Sequence, residues 1–130
     1  MGYELIWHHR GVIKRFFGQM SGQDLIQAGI AIEESTRFDD LRYIVNDCLA
    51  VHSWSISAAD VDYVSAIDAA AAYSNPRIHI AVVTDSEAIA NFARQYAESA
   101  FKPYPLAVFS STQAAQDWLH EKTGYRPADW

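Results

Sequence analysis

The feature that most constrains this chain is a nearly continuous apolar run at residues 78–84. Its centre, residues 80–83, reads Ile-Ala-Val-Val and contains no polar side chain. A strand that faces solvent on one side alternates apolar and polar residues, whereas a continuously apolar strand is typical of a sheet covered on both faces. The run therefore predicts an inner strand of an α/β protein whose helices pack on the sheet.

Other short runs with strand character alternate with segments of helical periodicity. The strand candidates are residues 3–8, 11–17, 42–48 and 106–109. Each helix candidate follows a capping sequence, which supplies acceptors for the free amides of a helix start; the caps are Ser21, Ser57, Asp85 or Ser86, and Ser110 or Ser111. The order ββαβαβαβα predicts an α/β fold with a mixed, mostly parallel sheet and about four helices, because helical crossovers join parallel strands.

Local signals give more detailed expectations for the first and central strands. Residues 9–11 predict a hairpin turn, and Gly18 is expected to end the second strand. In that strand we expect Ile13 and Phe17 to point into the core, with the stem of Lys14 lying across the sheet edge. Residues 52–56 are expected to form a polar loop after the central strand.

Length and charge limit the domain count and the classes of partner. The chain has 130 residues, which fits one domain, and we assign residues 1–124 to it and residues 125–130 to a C-terminal tail. Its net charge of −6 disfavours electrostatic binding to nucleic acid or to an anionic membrane. Lys14 and Arg15 are the nearest approach to a basic patch in the sequence.

Cysteine usage and hydropathy predict a cytoplasmic protein. Cys48 is the only cysteine, so no intramolecular disulfide can form, which fits a reducing compartment. No segment approaches the roughly 18 continuous apolar residues of a membrane-spanning helix, so integral membrane association is not expected. The N-terminal residues lack the basic and apolar regions of a signal peptide.

The order of elements and several stretches of sequence resemble the SpoIIAA-like family, which includes the STAS and STAS/SEC14-type bacterial domains. The resembling stretches are residues 17–25, 37–47, 80–83, 108–109 and 114–119, so the resemblance spans about residues 3–120. It implies a mixed sheet with helices packed mainly on one face. It also implies work through binding, either to a partner protein in sigma-factor signalling or to a small ligand such as a nucleotide or a lipid.

The chain departs from the family where the sigma-regulating members carry a phosphorylatable serine. That serine lies in an Asp-Ser-Ser/Thr-Gly-like turn after the central strand. Here the corresponding residues 52–57 read His-Ser-Trp-Ser-Ile-Ser, with no Asp-Ser pair and no glycine. The resemblance therefore bears on the fold more than on a phosphorylation switch.

The expected binding site lies at the carboxyl end of the sheet, where ligands bind in open α/β folds. A helix start there can hold an anion through its free amides. The alternative role for the serines is helix capping. The candidate residues are Asp47, His52, Ser53, Trp54, Ser55, Ser57, Asp85 and Ser86.

Catalytic and metal-binding alternatives are less well supported by the sequence. Cys48 and His52 could form a nucleophilic pair, but a thiol in a buried strand is usually an inert core residue. The five histidines lack the spacing of a zinc site, and no glycine-rich phosphate loop is present. We therefore expect no metal, no cofactor and no enzymatic activity.

Two functions follow from this reading. The first is a non-enzymatic regulatory module that binds a partner protein or a small ligand, with an anion as one candidate, beside Trp54. The second is SEC14-like binding of a lipid or another apolar ligand, which requires a pocket between the sheet and the helices that carry Val64 and Phe92. Self-association into a homodimer, through a sheet edge or the tail, is compatible with both.

Overall fold

A computed structural model describes residues 2–101, 103–128 and 130 as one mixed sheet flanked by helices. The strands lie in the order β1-β2-β3-β4-β5. β1 pairs antiparallel with β2, and the remaining pairs are parallel. The elements are β1 (Tyr3–His8), β2 (Gly11–Ser21), α1 (Gly22–Glu33), β3 (Tyr43–Ser55), α2 (Ala58–Ala71), β4 (His79–Val83), α3 (Glu87–Ala97), β5 (Leu106–Phe109) and α4 (Thr112–Thr123), with a 3-10 turn at Phe38–Asp40. This confirms the predicted fold class and order.

Both faces of the sheet are covered, as the apolar run at residues 78–84 predicts. Side chains of α1, α2 and α3 form one core with one face of the sheet; its members include Ile32, Val64 and Ile89. α4 packs on the other face, where Ala115 and Leu119 contact residues of β2, β3 and β4. Alternate residues of β4 therefore enter different cores, so none of its inner positions is polar.

The starts of α1 and α2 lie side by side, and both have the capping boxes expected from the sequence. The Ser57 hydroxyl accepts from the Asp60 amide at 3.1 Å, and the Asp60 carboxylate accepts from the Ser57 amide at 2.9 Å. Ser21 and Asp24 make the same reciprocal pair. A Cβ at Gly22 would lie 2.0 Å from the Asp60 carboxylate, so only glycine allows the two helix starts to meet.

β2 and β3 are longer than predicted, because they continue to pair with each other beyond the other strands. Gly18 does not end β2; it adopts a φ of 64° at a register shift, and the strand continues to Ser21. Residues 52–55 are likewise strand rather than loop, since Ser53 and Ser55 pair with Gln19 and Ser21. We call this two-stranded extension, residues 17–21 and 49–55, the ribbon.

The expected side-chain directions in β2 are correct for Ile13 and wrong for Phe17 and Lys14. Ile13 is fully buried, but Phe17 is 41% exposed, because α4 and the chain after it do not cover the ribbon. Lys14 is only 5% exposed and faces the three-helix core rather than the sheet edge. In a strand that is covered on both faces, every side chain points into one core or the other. Lys14 therefore lies in the interior, beneath α2.

The residues after α4 pack on the sheet. Tyr125 and Trp130 contact the core beneath α4, and Pro127 is buried. Among the helices of the described ranges, none combines the length and hydrophobicity needed to cross a bilayer.

Candidate functional site

A cavity of about 60 Å³ lies between the sheet and helices α1, α2 and α3. Its walls are mostly apolar and include Val64 of α2 and Ile89 and Phe92 of α3. Met20, at the end of the ribbon before α1, and Ile56, just before α2, also line it. Leu25 of α1 and Phe92 of α3 are partly exposed, so the cavity approaches the surface at these two residues. This is the location that the apolar-ligand hypothesis requires.

The polar residues of the cavity come from adjacent strands and from α2. Lys14 of β2 and Asn46 of β3 are register partners, so their side chains leave the same face of the sheet next to each other. Asp68 of α2 lies above them. The Asn46 Oδ1 atom is buried and accepts no hydrogen bond from the described residues. An unsatisfied buried acceptor in a cavity indicates a place where a donor can bind.

Lys14 is the cation of a buried charged cluster. Burial lowers the pKa of its ammonium group, and the nearby charges of Asp68 and Glu33 oppose that effect. Within the described residues Lys14 forms neither a salt bridge nor a hydrogen bond. Its N–H donors are therefore free to bind a group that enters the cavity.

Asp68 and Glu33 form the anionic part of the same cluster. Burial raises the pKa of Asp68, although the Tyr96 hydroxyl donates to its carboxylate at 2.6 Å. Burial, and the charge and hydrogen bond of Asp68, raise the pKa of Glu33 to about 7. We infer that the two carboxyl groups share one proton near neutral pH, because two adjacent buried carboxylates are not both ionised. The pair then carries one negative charge, which balances Lys14.

Cys48 also lines the cavity, but it is not activated. Burial raises the pKa of its thiol to about 12, so the group is protonated near neutral pH. The side chain of His52, its hypothetical partner, is exposed on the ribbon. In residues 2–101, 103–128 and 130, no three His, Cys, Asp or Glu side chains come together as a metal site.

The structure separates the residues that the sequence placed in one site. Asp47 lies on the opposite face of the sheet from the cavity. Its carboxylate accepts from the Trp130 indole at 3.0 Å and from the Leu49 amide at 3.1 Å, and lies 3.5 Å from the Arg15 side chain. These contacts position Asp47 and anchor the residues after α4.

The remaining candidates lie on the ribbon or at helix starts. His52, Ser53 and Ser55 are exposed, and Asp85 is exposed before α3. Ser57 and Ser86 are the N-caps of α2 and α3. Trp54 is the candidate nearest the cavity: it is 43% exposed, and its ring lies 5.1 Å, edge to face, from that of the cavity residue Phe92.

Sequence analysis missed the polar residues of the cavity, although a signal for two of them was present. Lys14 and Asn46 interrupt apolar strands at positions whose neighbours two residues away, Val12 and Ile44, are core residues. Alternation places all four on one face of the sheet. Asp68 interrupts the apolar stripe of α2 in the same way. Polar residues at inward positions were thus the informative pattern.

Comparison with known proteins supports the fold. No family model and no curated protein sequence matches the chain. The anti-sigma factor antagonist SpoIIAA in its unphosphorylated form matches with a TM-score of 0.57 and 12% identity, over 86% of this chain and 91% of that one. The Bacillus cell fate determinant SpoIIAA in its phosphorylated form matches with a TM-score of 0.57 and 12% identity, over 90% and 98%.

A third solved structure is an uncharacterized protein of the DUF3478 family with a SpoIIAA-like fold, from Shewanella loihica PV-4. It matches with a TM-score of 0.54 and 16% identity, over 90% of this chain and 91% of that one. The chain therefore has a SpoIIAA-like, STAS-type fold along nearly its whole length, which confirms the resemblance drawn from the sequence. At these identities the likeness establishes the fold alone.

Proposed function

We propose that this chain is a non-enzymatic binding module that takes a small apolar molecule with one polar group into the cavity between its sheet and helices. The observation that carries the proposal is the pairing of apolar walls with an unsatisfied buried acceptor, Asn46 Oδ1, beside Lys14, which makes no salt bridge or hydrogen bond within the described residues. A core that needed only packing would fill these inward positions with hydrocarbon, because an unpaired buried polar group costs about 1–3 kcal/mol.

The polar residues favour a ligand with a hydroxyl group. A hydroxyl oxygen accepts from the Lys14 ammonium, and its hydrogen is donated to Asn46 Oδ1. A carboxylate ligand offers no donor to Asn46 and would lie near the negative charge that Asp68 shares with Glu33. A pure hydrocarbon satisfies neither group. The chemistry of the site is therefore that of an alcohol or a phenol.

The volume of the cavity limits the ligand to a small molecule. At about 60 Å³ it is smaller than the roughly 150 Å³ apolar cavities that bind benzene. A single ring requires a side chain of the wall to move. Met20 has a flexible, unbranched side chain, and Phe92 is partly exposed, so these two residues provide that room.

Phenol, with benzene as the apolar control, tests this function by two-dimensional amide NMR. We expect phenol to shift the amide signals of residues near Lys14, Asn46 and Asp68, with a Kd on the order of 1 mM. Benzene should bind more weakly, because it leaves the polar groups unpaired. Failure of phenol to shift these signals would refute the proposal.

Two variants with a matched control make the test specific. Ala93→Phe fills the cavity from α3 and should abolish phenol binding, whereas Ala97→Phe adds the same ring at an exposed position of that helix. Lys14→Met should retain benzene binding and lose the preference for phenol. Circular dichroism establishes that each variant is folded. Equal phenol binding by folded Ala93→Phe and Ala97→Phe would place the ligand elsewhere.

A second candidate function, regulation by binding a partner protein, is favoured by the ribbon. Phe17 and Leu49 are each 41% exposed there, and Trp54 is 43% exposed. Exposed aromatic and aliphatic groups of this kind are common at the centres of protein interfaces. Phe17→Ser and Leu49→Ser should abolish a partner complex without changing phenol binding, because neither residue lines the cavity. We place either activity in the cytoplasm, where Cys48 stays reduced.

A further inference from the structure

Arginines that are far apart in the sequence converge where the parallel strands begin. Arg10 lies in the β1–β2 turn, Arg37 and Arg42 flank the 3-10 turn before β3, and Arg77 precedes β4. Arg126 follows α4. The sequence gives no sign of this cluster, because each arginine stands apart from the others, and the chain as a whole carries a net charge of −6.

Three of these five arginines, Arg10, Arg37 and Arg126, line two adjoining hollows. One, of about 180 Å³, is lined by His8, His9, Arg10, Arg37, Asp40 and Leu41. The other, of about 410 Å³, is lined by His8, His9, Tyr43, Tyr125, Arg126 and Ala128. Because both include His8 and His9, they form one continuous depression, which we call the arginine groove.

Aromatic rings hold the guanidinium groups at the groove. The Arg37 guanidinium carbon lies 4.8 Å from the centre of the Trp7 ring, and that of Arg10 lies 5.9 Å from the centre of the Tyr125 ring. Stacking of this kind fixes a guanidinium plane and leaves its N–H donors directed outward. The His9 ring meets the Tyr125 ring edge to face at 5.7 Å, so the larger hollow has an aromatic wall.

Part of the positive charge at the groove is neutralised, because Arg10 lies near Asp40 and Arg126 pairs with Asp117 at 2.6 Å. Asp40 is the carboxylate of the lining and lies 3.7 Å from Arg10, but its side chain is exposed, and such pairs are weak. Among the described residues, Arg37, Arg42 and Arg77 form no salt bridge. The charges of Arg77 and Arg10 add to burial in lowering the pKa of Arg42, which shows that the cations are crowded.

A structural role accounts for some of these arginines. Arg42 donates to the carbonyl oxygens of Leu41 at 2.8 Å and Asp39 at 3.2 Å, so it holds the loop before β3. Arg37 and Arg10 make only long contacts of 3.4 Å with carbonyl oxygens. Arg10 also adopts a φ of 64°, a left-handed conformation that is common in short hairpin turns such as the two-residue β1–β2 turn.

We propose that the arginine groove binds a phosphorylated small molecule that carries a planar ring. The phosphate lies in the smaller hollow between Arg10 and Arg37, whose remaining N–H donors match its oxygens. The ring lies in the larger hollow against Tyr125 and His9. The groove is an open depression with aromatic side chains along its larger hollow, and its volume fits a nucleotide-sized molecule better than an extended acidic peptide.

Calorimetric titration with AMP, ribose 5-phosphate and inorganic phosphate tests the site on the full chain. We expect AMP to bind most tightly, ribose 5-phosphate more weakly and inorganic phosphate weakest. Ribose 5-phosphate lacks the contacts of the planar ring, and inorganic phosphate lacks those of the ring and the sugar. Higher salt should weaken all three, because the phosphate contact is electrostatic. Equal affinity for AMP and inorganic phosphate would refute the role of the ring, and no binding of AMP would refute the proposal.

Substitutions locate the phosphate and ring. Arg37→Ala and Arg10→Gly should each weaken AMP binding at least tenfold; glycine suits the backbone of residue 10, so the second variant is expected to fold. Tyr125→Leu should weaken AMP binding more than it weakens inorganic phosphate binding, because it removes the contact with the ring as well as the support of Arg10. Arg94→Ala, which removes an exposed arginine of α3, is the control and should have no effect. An equal loss in Arg94→Ala and Arg37→Ala would refute a defined site.

This experiment is independent of the apolar cavity. Ala93→Phe, which fills the cavity, should bind AMP with unchanged affinity, and Arg37→Ala should bind phenol with unchanged affinity. Loss of AMP binding in folded Ala93→Phe would contradict the separate location of the two sites.

Discussion

Replacing Glu33 by glutamine should stabilise the protein at alkaline pH and leave its stability unchanged at acidic pH. Burial and Asp68 raise the pKa of Glu33 from its ordinary value of 4.5 to about 7. A raised carboxyl pKa contributes stability that is fully present below the unfolded pKa and is lost as the pH rises through the folded value. The affected range is therefore about pH 4.5 to 7.

The size of the effect follows from the shift and from the burial of Glu33. Moving from 4.5 to about 7 corresponds to about 3 kcal/mol for a fully buried group. Glu33 is half-buried, so solvent screening reduces this to roughly 1–2 kcal/mol. Glutamine has the shape of the protonated acid, and its amide N–H can donate to Asp68 in place of the shared proton.

Urea unfolding at pH 4 and pH 8 measures the effect. We expect the free energies of unfolding of Glu33→Gln and the parent to agree at pH 4, below the unfolded pKa, and the variant to be more stable by roughly 1–2 kcal/mol at pH 8. Glu34→Gln, at the exposed neighbouring position, should show no pH-dependent difference. A constant difference at both pH values, or a less stable variant at pH 8, would show that Glu33 and Asp68 do not share a proton.

Three further predictions concern single contacts. Ser57→Ala should lower the free energy of unfolding by about 1 kcal/mol, because it removes the cap of α2; urea unfolding against Ser53→Ala measures this. Asn75→Ala should lower the free energy of unfolding by about 2–4 kcal/mol, since the buried side-chain amide donates to the carbonyls of Phe38 and Leu41 at 2.8 and 2.9 Å. Cys48 should react with a thiol reagent only on unfolding; rapid labelling of the folded chain would contradict its buried, protonated state.

Local chemistry explains why the elements could be predicted from the sequence. Each of these signals involves only a few neighbouring residues: the capping boxes at Ser21 and Ser57, and the apolar run of β4. The structure that each signal predicts therefore does not depend on contacts with distant residues. The ends of β2 and β3 could not be found in this way. Polar residues 52–55 are strand because residues 19–21 pair with them, and that pairing is visible only in the fold.

The candidate site depended even more on distant contacts. The apolar-ligand hypothesis required a pocket between the sheet and the helices of Val64 and Phe92, and both residues line the cavity. Lys14, Asn46 and Asp68 come from three elements, and only the register of β2 with β3 brings the first two together. Asp47 was chosen because it lies near the carboxyl end of the central strand, yet its side chain leaves the face of the sheet opposite the cavity.

The ribbon also determines how rigid the entrance to the cavity is. β4 pairs with β3 only as far as Asp47, so the outer part of β3 is held mainly by its hydrogen bonds to β2, on a surface open to water. Segments with few buried contacts and solvent-exposed hydrogen bonds open locally without global unfolding, and their amide protons exchange fastest. Met20 and Ile56, at its far end, line the cavity. Opening of the ribbon would therefore uncover the cavity while the rest of the sheet stays folded.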